Sequence, residues 1–312
     1  MPGVDTHQHL WSEHLWEALA RRRQAPFLDQ DAAGWTLHLP AEPACRLDGP
    51  DDAARRLALL DLDGMDGAIV APSLALGLEW LPEDEAHALI AAHREGIEAS
   101  GPRFDRWAVV PLASARDAAA TFLQAELDGG AIGLCLGSSA LASAECLDRV
   151  GPLLEVLARA GAPLFIHPGP GPESWTTSAN VRWNAEPWWW PGLTDYVAGM
   201  QRAWFTWAAH GRRRHPELRV LFAMLGGLAP LQVSRLAARG APGAAARASA
   251  DPLTFYDTSS YDPTVQRAVA HVVGEQQLVH GSDRPVIAGN PAGAIPLAQS
   301  TTNAELLFGK AA

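Results

Sequence analysis

Short apolar runs recur along this chain, separated by longer stretches whose apolar residues follow helical spacing. Eight runs stand out, at 4–9, 68–72, 107–112, 132–136, 163–167, 219–224, 254–258 and 277–283. Each has strand length, and their alternation with helical stretches is the pattern of repeated βα units on a parallel sheet. Helices are predicted between them at 51–63, 82–100, 115–128, 145–160, 195–214, 231–238 and 263–273. Several start near Asp, Ser or Pro, residues that satisfy or tolerate the unpaired amides of a first turn. Gly161 follows one of them where a left-handed cap is wanted. Eight such units favour an α/β fold closed as a (β/α)8 TIM barrel. An open doubly wound sheet is the alternative, but no GxGxxG follows the first strand.

Two connections are too long for plain βα loops, at about 11–50 and 168–194. They leave the C-terminal ends of strands one and five, where barrel active sites are built, so they are expected to wall the pocket. The second carries Trp175, Trp183 and the run Trp188-Trp189-Trp190, with Trp204 and Trp207 just beyond. Rigid apolar rings of this kind suit a substrate lid, and equally a loop packed on the barrel or a subunit interface. Stretches 239–250 and 288–298 read as flexible surface connections.

Composition narrows the picture further. A single domain over 1–312 is expected, since barrels of this kind often exceed 250 residues. With 48% hydrophobic and 19% charged residues the chain has material for a large core. Its net charge of −11 and its lack of a basic stripe argue against nucleic acid as a partner. Cys45, Cys135 and Cys146 form neither a metal-type CxxC nor an even disulfide framework, which suits a reducing compartment. No apolar run is long enough to span a bilayer, and no charged leader precedes the first strand, so a cytoplasmic protein without membrane contact is expected. Apolar outer faces on barrel helices allow a homodimer.

The chemistry begins at Asp5-Thr6-His7-Gln8-His9. Side chains two apart on a strand share a face, so His7 and His9 both point into the barrel mouth and make half of a metal site. His167 closes the buried run Pro163-Leu164-Phe165-Ile166, and Asp283 closes the last strand in Gly281-Ser282-Asp283-Arg284-Pro285. A buried imidazole or carboxylate needs a partner, and closure would bring all four groups together. Each signal alone is weak; their joint placement at strands one, five and eight is what points to a metal.

The motifs Val-Asp-Thr-His-Gln-His-Leu-Trp, Ile-His-Pro-Gly, Leu-Gly-Gly-Leu-Ala-Pro and His-Gly-Ser-Asp-Arg-Pro occur in that order from Val4 to about Pro285. In this combination the chain resembles the amidohydrolase-related branch of the amidohydrolase superfamily. That branch includes lactonases, carbon-carbon bond hydrolases, hydratases and nonoxidative decarboxylases such as aminocarboxymuconate semialdehyde decarboxylase. The resemblance implies one divalent metal held by His7, His9, His167 and Asp283, zinc foremost with manganese or iron also suited, and catalytic roles for Asp283 and His167. One departure matters. Many members carry an acid-base histidine on the sixth strand, where this chain has Met224, and a thioether cannot shuttle a proton. The fourth strand has no lysine, which leaves a two-metal site bridged by a carboxylated lysine without support. His210 and His215 are the other histidines of that region, and either could stand in for the missing group or face solvent. His280 falls on the outward face by parity, as a helix-packing residue. Cys135 reads as a small core residue.

The reading that follows is a metal-dependent hydrolase that activates water against a lactone, amide or related acyl substrate. Asp283 would take the proton of the water. Candidate substrate contacts are Trp11 and Trp189 in the long connections, with Arg182 and Arg284 offering a guanidinium to a substrate carboxylate. Two alternatives stand beside it: a carboxy-lyase acting on an aromatic or enoic acid at the same site, and a binding protein that has lost catalysis, which Met224 favours.

Overall fold

The computed structural model describes residues 3–32, 34–171, 187, 189–287, 293 and 295–309. Its strands run β1 (Val4–Gln8), β2 (Phe27–Asp31), β3 (Gly34–His38), β4 (Cys45–Leu47), β5 (Gly67–Val70), β6 (Phe104–Arg106), β7 (Leu134–Gly137), β8 (Leu164–His167), β9 (Val220–Phe222), β10 (Thr254–Asp257) and β11 (Leu278–Val279). Two parallel sheets result, ordered β1-β5-β6 and β11-β10-β9-β8-β7. Both seams between them are stitched. Ala108, just past β6, bridges Leu134, with Ala108 N donating to Gly133 O and Cys135 N donating to Ala108 O, each at 2.8 Å. At the other seam Gln8 bridges Arg284, Thr6 N donates to His280 O at 2.9 Å and Asp283 N donates to His7 O at 2.8 Å. The eight parallel strands therefore form a ring, the (β/α)8 arrangement that the alternating pattern predicts.

A helix the pattern did not predict, α1 (Glu13–Ala20), precedes those that fall where their periodicity places them: α2 (Ala53–Asp63), α3 (Glu83–Ala99), α4 (Arg116–Asp128) and α5 (Ala144–Ala160), then Asp195–Thr206, Val233–Ala238 and Pro263–Val273. Local chemistry sets their ends. The side chains of Ser12, Asp52, Ser143 and Asp262 accept amides of the first turns, and Gly161 closes α5 in the left-handed conformation.

Three stretches differ from expectation. The connection after β1 has secondary structure that was not predicted: it holds α1 and the antiparallel sheet β2-β3-β4, and Leu15, Trp16, Leu28 and Leu37 bury themselves beside α3. Within 239–250 a helix forms at Pro242–Ser249, because Pro242 is pre-set for a first turn and an alanine-rich run follows. Stretch 288–298 lies partly outside the described residues, but it runs into a helix, Leu297–Leu307, that covers the seam. There the Ser300 hydroxyl accepts His280 N at 2.7 Å and Asn303 Nδ2 donates to Leu278 O at 2.7 Å.

Inside the ring, Trp107 and Phe165 pack with centroids 5.1 Å apart and planes tilted by 34°, and Trp107 Nε1 donates to Thr6 O at 3.0 Å across the barrel. This aromatic layer floors the C-terminal mouth. Trp107→Ala is expected to cost about 3–5 kcal/mol of stability, read as a fall in the urea midpoint without a change of slope, because a large cavity opens and Thr6 O loses its donor.

Candidate metal centre

Strand β1 is buried along its whole length although four of its five residues, Asp5 to Gln8, are polar. Asp5 ties it down: Oδ1 accepts His7 N at 3.1 Å and Ser282 N at 3.0 Å, while Oδ2 accepts Gln8 Nε2 at 2.7 Å. These bonds span an irregularity in the β1 to β5 register between Asp5 and Gln8. His7 and His9 follow, 0% and 3% exposed. His167 ends β8 and Asp283 lies just past β11 with a left-handed backbone, φ 56°, that swings its carboxylate toward β1.

The four ligand atoms of His7, His9, His167 and Asp283 lie within 4.8 Å of one another. His7 Nε2 is 3.3 Å from His9 Nε2, and Asp283 Oδ1 is 3.4 Å from the first and 3.1 Å from the second. Ligands about 2.1 Å from a tetrahedral ion stand about 3.4 Å from one another, so these spacings fit a shared cation.

Tautomers fit as well. Each imidazole has its Nδ1 at an acceptor: His7 at Asp257 Oδ2 (2.7 Å), His9 at Ala71 O (3.0 Å) and His167 at Pro168 O (2.5 Å). A proton held on Nδ1 leaves the Nε2 lone pair free, which is how metal-binding histidines are oriented. His167 Nε2 is buried with no protein partner, an orphan that a cation would satisfy.

Charge completes the centre. Burial pulls the His7 imidazole down, yet the carboxylates of Asp257, Asp283 and Asp5 outweigh it and lift the pKa to about 9. For His167, burial and then His7 and His9 push the pKa well below the usual value. Burial opposes ionisation of Asp283, but the three imidazoles hold its carboxyl at about 2.

The sequence missed Asp257, which closes β10 and is fully buried. Its Oδ1 accepts Met224 N and Ser259 N, each at 3.0 Å, and the Ser259 hydroxyl at 2.6 Å. The signal was present, since a carboxylate ending a buried strand was the same reasoning that singled out Asp283. Met224 does sit at the mouth, just past β9, and its amide joins this network. From Met224 to Leu228 five successive residues are left-handed, with φ between 51° and 65°. Two are glycines, and Gly227 has no choice: a Cβ there would lie 2.8 Å from Val197 O.

The other candidates are placed differently. Arg284 is engaged by Asp63 on α2 at 2.8 and 3.2 Å, so its guanidinium serves α2 rather than the mouth. Trp11 packs against the cluster around Trp16 and Leu37, and its amide donates to Asp51. Trp189 is exposed and rests on Trp190. Arg182, Trp175, Trp183 and Trp188 lie outside the described residues. Trp204 and Trp207 are core, the former donating to the Tyr256 hydroxyl at 2.8 Å. His210 and His215 lie near the end of the segment that returns toward the start of β9, at the opposite end of the barrel, and His215 stacks on Trp207. They do not replace the missing histidine. His280 is buried against the final helix and Cys135 is buried core, as parity and position predict.

A cleft of 180 Å³ lies beside the connections that leave β7 and β8, lined by Glu42, Ser138, Gly169, Pro170, Tyr196 and Arg202 among others. Tyr196 donates to Glu42 at its edge, and burial pushes the Glu42 carboxyl up to about 7. A larger recess, 280 Å³, lies at the strand starts beside Asp105, Pro163 and Phe308, away from this chemistry.

No family model matches the chain, and no curated protein sequence matches it significantly. Solved structures do. A 5-carboxyvanillate decarboxylase from Sphingomonas paucimobilis is 18% identical, with TM-score 0.71 over 98% of both chains. An amidohydrolase from Mycobacterium avium subsp. paratuberculosis K-10 is 16% identical, with TM-score 0.70 over 98% of this chain and 99% of that one. A 5-carboxyvanillate decarboxylase from Novosphingobium aromaticivorans DSM 12444, with bound manganese and 3-methoxy-4-hydroxy-5-nitrobenzoic acid, is 16% identical, with TM-score 0.70 over 99% of this chain and 97% of that one. Among the described residues no helix is long and apolar enough to cross a membrane. Over almost its whole length, this chain has the barrel fold of amidohydrolases and decarboxylases.

Proposed function

We propose that this chain is a metal-dependent enzyme of the amidohydrolase superfamily that hydrolyses a lactone, amide or related acyl compound. One observation carries the reading: three imidazoles with tethered Nδ1 atoms turn their Nε2 atoms toward one carboxylate at the C-terminal mouth of a barrel. His7, His9, His167 and Asp283 would hold the ion, zinc foremost because three nitrogens and one carboxylate suit it, with manganese or iron as substitutes. Such an ion lowers the pKa of water to about 7 and polarises a carbonyl.

The protein's own groups do the rest. Asp283, ionised at neutral pH, accepts the proton of the attacking water. Asp257 keeps the His7 ring in place, and the aromatic floor of Trp107 and Phe165 closes the barrel below the centre. A proton must also reach the leaving group, and Met224 has none to give. Trp11, Trp189 and Arg182 belong to the long connections that would wall a small-molecule pocket. Three free cysteines suit a reducing compartment such as the cytoplasm.

Carboxy-lyase activity is the second reading, favoured by the decarboxylases among the similar structures, one of which holds manganese and an aromatic acid. Metal-loaded protein incubated with lactones, amides and hydroxybenzoates separates the readings. Hydrolysis is expected to consume water and release an acid without carbon dioxide. Carbon dioxide released from a carboxylate without water uptake would overturn hydrolysis in favour of the lyase, and a panel wholly unturned would leave a binding protein.

A further inference from the structure

Besides Glu42 in the neighbouring cleft, a second buried acid, Glu79, takes no part in the centre described above. Glu79 lies in the 3₁₀ turn Leu78–Trp80, on the connection leaving the C-terminal end of β5, and it is 2% exposed. Its backbone carbonyl accepts Leu112 N at 2.7 Å and Ala113 N at 3.2 Å, which pins the turn to the connection after β6. Its side chain points into the ring, as the register shows. Phe165 and His167 face inward, with Phe165 5.0 Å from the His7 ring, and their β7 partners are Cys135 and Gly137. Paired residues on parallel strands share a face, so Gly137 also faces inward, level with His167. A Cβ on Gly137 would lie 3.3 Å from Glu79 Oε1. The carboxyl thus occupies the slot that the glycine leaves open, in the layer of the metal ligands and one strand away from His167.

Among the described residues nothing neutralises it: Oε2 is buried without a hydrogen-bond partner, and no cation pairs with the group. Cys135 faces it from one layer deeper, with a thiol kept well above its usual range by burial and by Glu79 itself. Burial pushes the Glu79 carboxyl up to about 7, with its own backbone amide pulling the other way. A buried, unpaired acid is costly to keep, and such groups concentrate where they have a task.

We propose that Glu79 is the proton-transfer residue of this centre, supplying from β5 and its turn what Met224 cannot supply from β9. The inference rests on the hydrolase reading above. Protonated Glu79 gives its proton to the leaving oxygen or nitrogen as the acyl bond breaks, while Asp283 takes the proton of the water whose oxygen joins the acyl carbon. Glu79 then regains a proton from solvent and Asp283 loses one to it, so the net change is one water added across the bond.

Glu79→Gln tests this, because the amide keeps shape and volume and cannot exchange the proton. Three quantities are read on metal-loaded protein: metal content, kinetics on any compound the wild type hydrolyses, and the infrared band of a protonated carboxyl across neutral pH. The expected result is unchanged metal content, kcat lowered about 10²–10⁴-fold with KM within a few-fold, and a wild-type band titrating near pH 7 of which the Glu79 share is lost in the variant while the share of Glu42 stays. An active wild type with an equally active variant overturns the inference and leaves the hydrolase standing. So does a wild type without such a band. A wild type holding metal but turning over nothing overturns both, and the wild-type kinetics alone reveal that case.

Discussion

Asp283→Asn is expected to lower turnover by roughly a thousandfold or more. The carboxylate carries two duties. It supplies the one anionic ligand of the set, at 3.1 and 3.4 Å from the His9 and His7 nitrogens, and it is the base that takes the proton of water. An amide is neutral, binds a hard cation weakly and accepts no proton at neutral pH. The left-handed backbone at this position tolerates Asn, so folding should survive. Steady-state kinetics at saturating metal, beside a circular dichroism spectrum matching wild type, check it. Activity within tenfold of wild type would remove Asp283 from the mechanism.

The second large effect is expected from Asp257→Asn, which touches no ion and should still weaken metal binding about 10–100-fold. Asp257 is filled on both sides. Oδ2 receives His7 Nδ1, and Oδ1 receives Met224 N, Ser259 N and the Ser259 hydroxyl. An amide offers one acceptor and one donor. If its oxygen faces His7, its NH2 confronts three donors; turned over, its NH2 opposes the Nδ1 proton and drives His7 into the tautomer that cannot ligate. Titration against a competing chelator gives the affinity, and a value equal to wild type would show that His7 needs no such support.

Protons compete with the ion at this centre. With the His7 pKa lifted to about 9, the metal-free protein holds a proton there at neutral pH, so binding must expel it. Apparent metal affinity is therefore expected to rise about tenfold per pH unit below pH 9 and to flatten above it. The same lifted pKa stabilises the metal-free fold fully below about pH 6.5, the unfolded value, and that contribution fades as pH climbs through 9. Chelator titrations at several pH values give the slope.

The four ligands were legible in the sequence because each occupies a position with one physical meaning: a polar side chain at the C-terminal end of an otherwise buried strand. His7 and His9 added strand parity, which fixes a shared face without knowledge of the rest. Seven of the eight strands were legible for a similar reason, since burial on both faces leaves compact apolar runs; the third run, 107–112, instead follows β6, whose Asp105 and Arg106 break the apolar pattern. Asp257 carries the same signal as Asp283, a carboxylate closing a buried strand.

Glu79 carried no such signal. It sits in a 3₁₀ turn without periodicity, and its meaning depends on Gly137, fifty-eight positions later, having no side chain. The sheet β2-β3-β4 was equally hidden, because its strands are half exposed and pair only with each other. Arg284 shows the converse limit. Its adjacency to Asp283 suggested substrate binding, but alternation along the chain turned it outward to Asp63 on α2.

Elemental analysis of purified protein, wild type beside the double variant His7→Ala with His9→Ala, puts the central claim at risk most directly. About one equivalent of a transition metal per chain in the wild type, lost in a variant that keeps its circular dichroism spectrum, is the predicted outcome. A wild type that takes up no stoichiometric metal when offered zinc, manganese or iron, or a double variant that keeps its full equivalent, would contradict it.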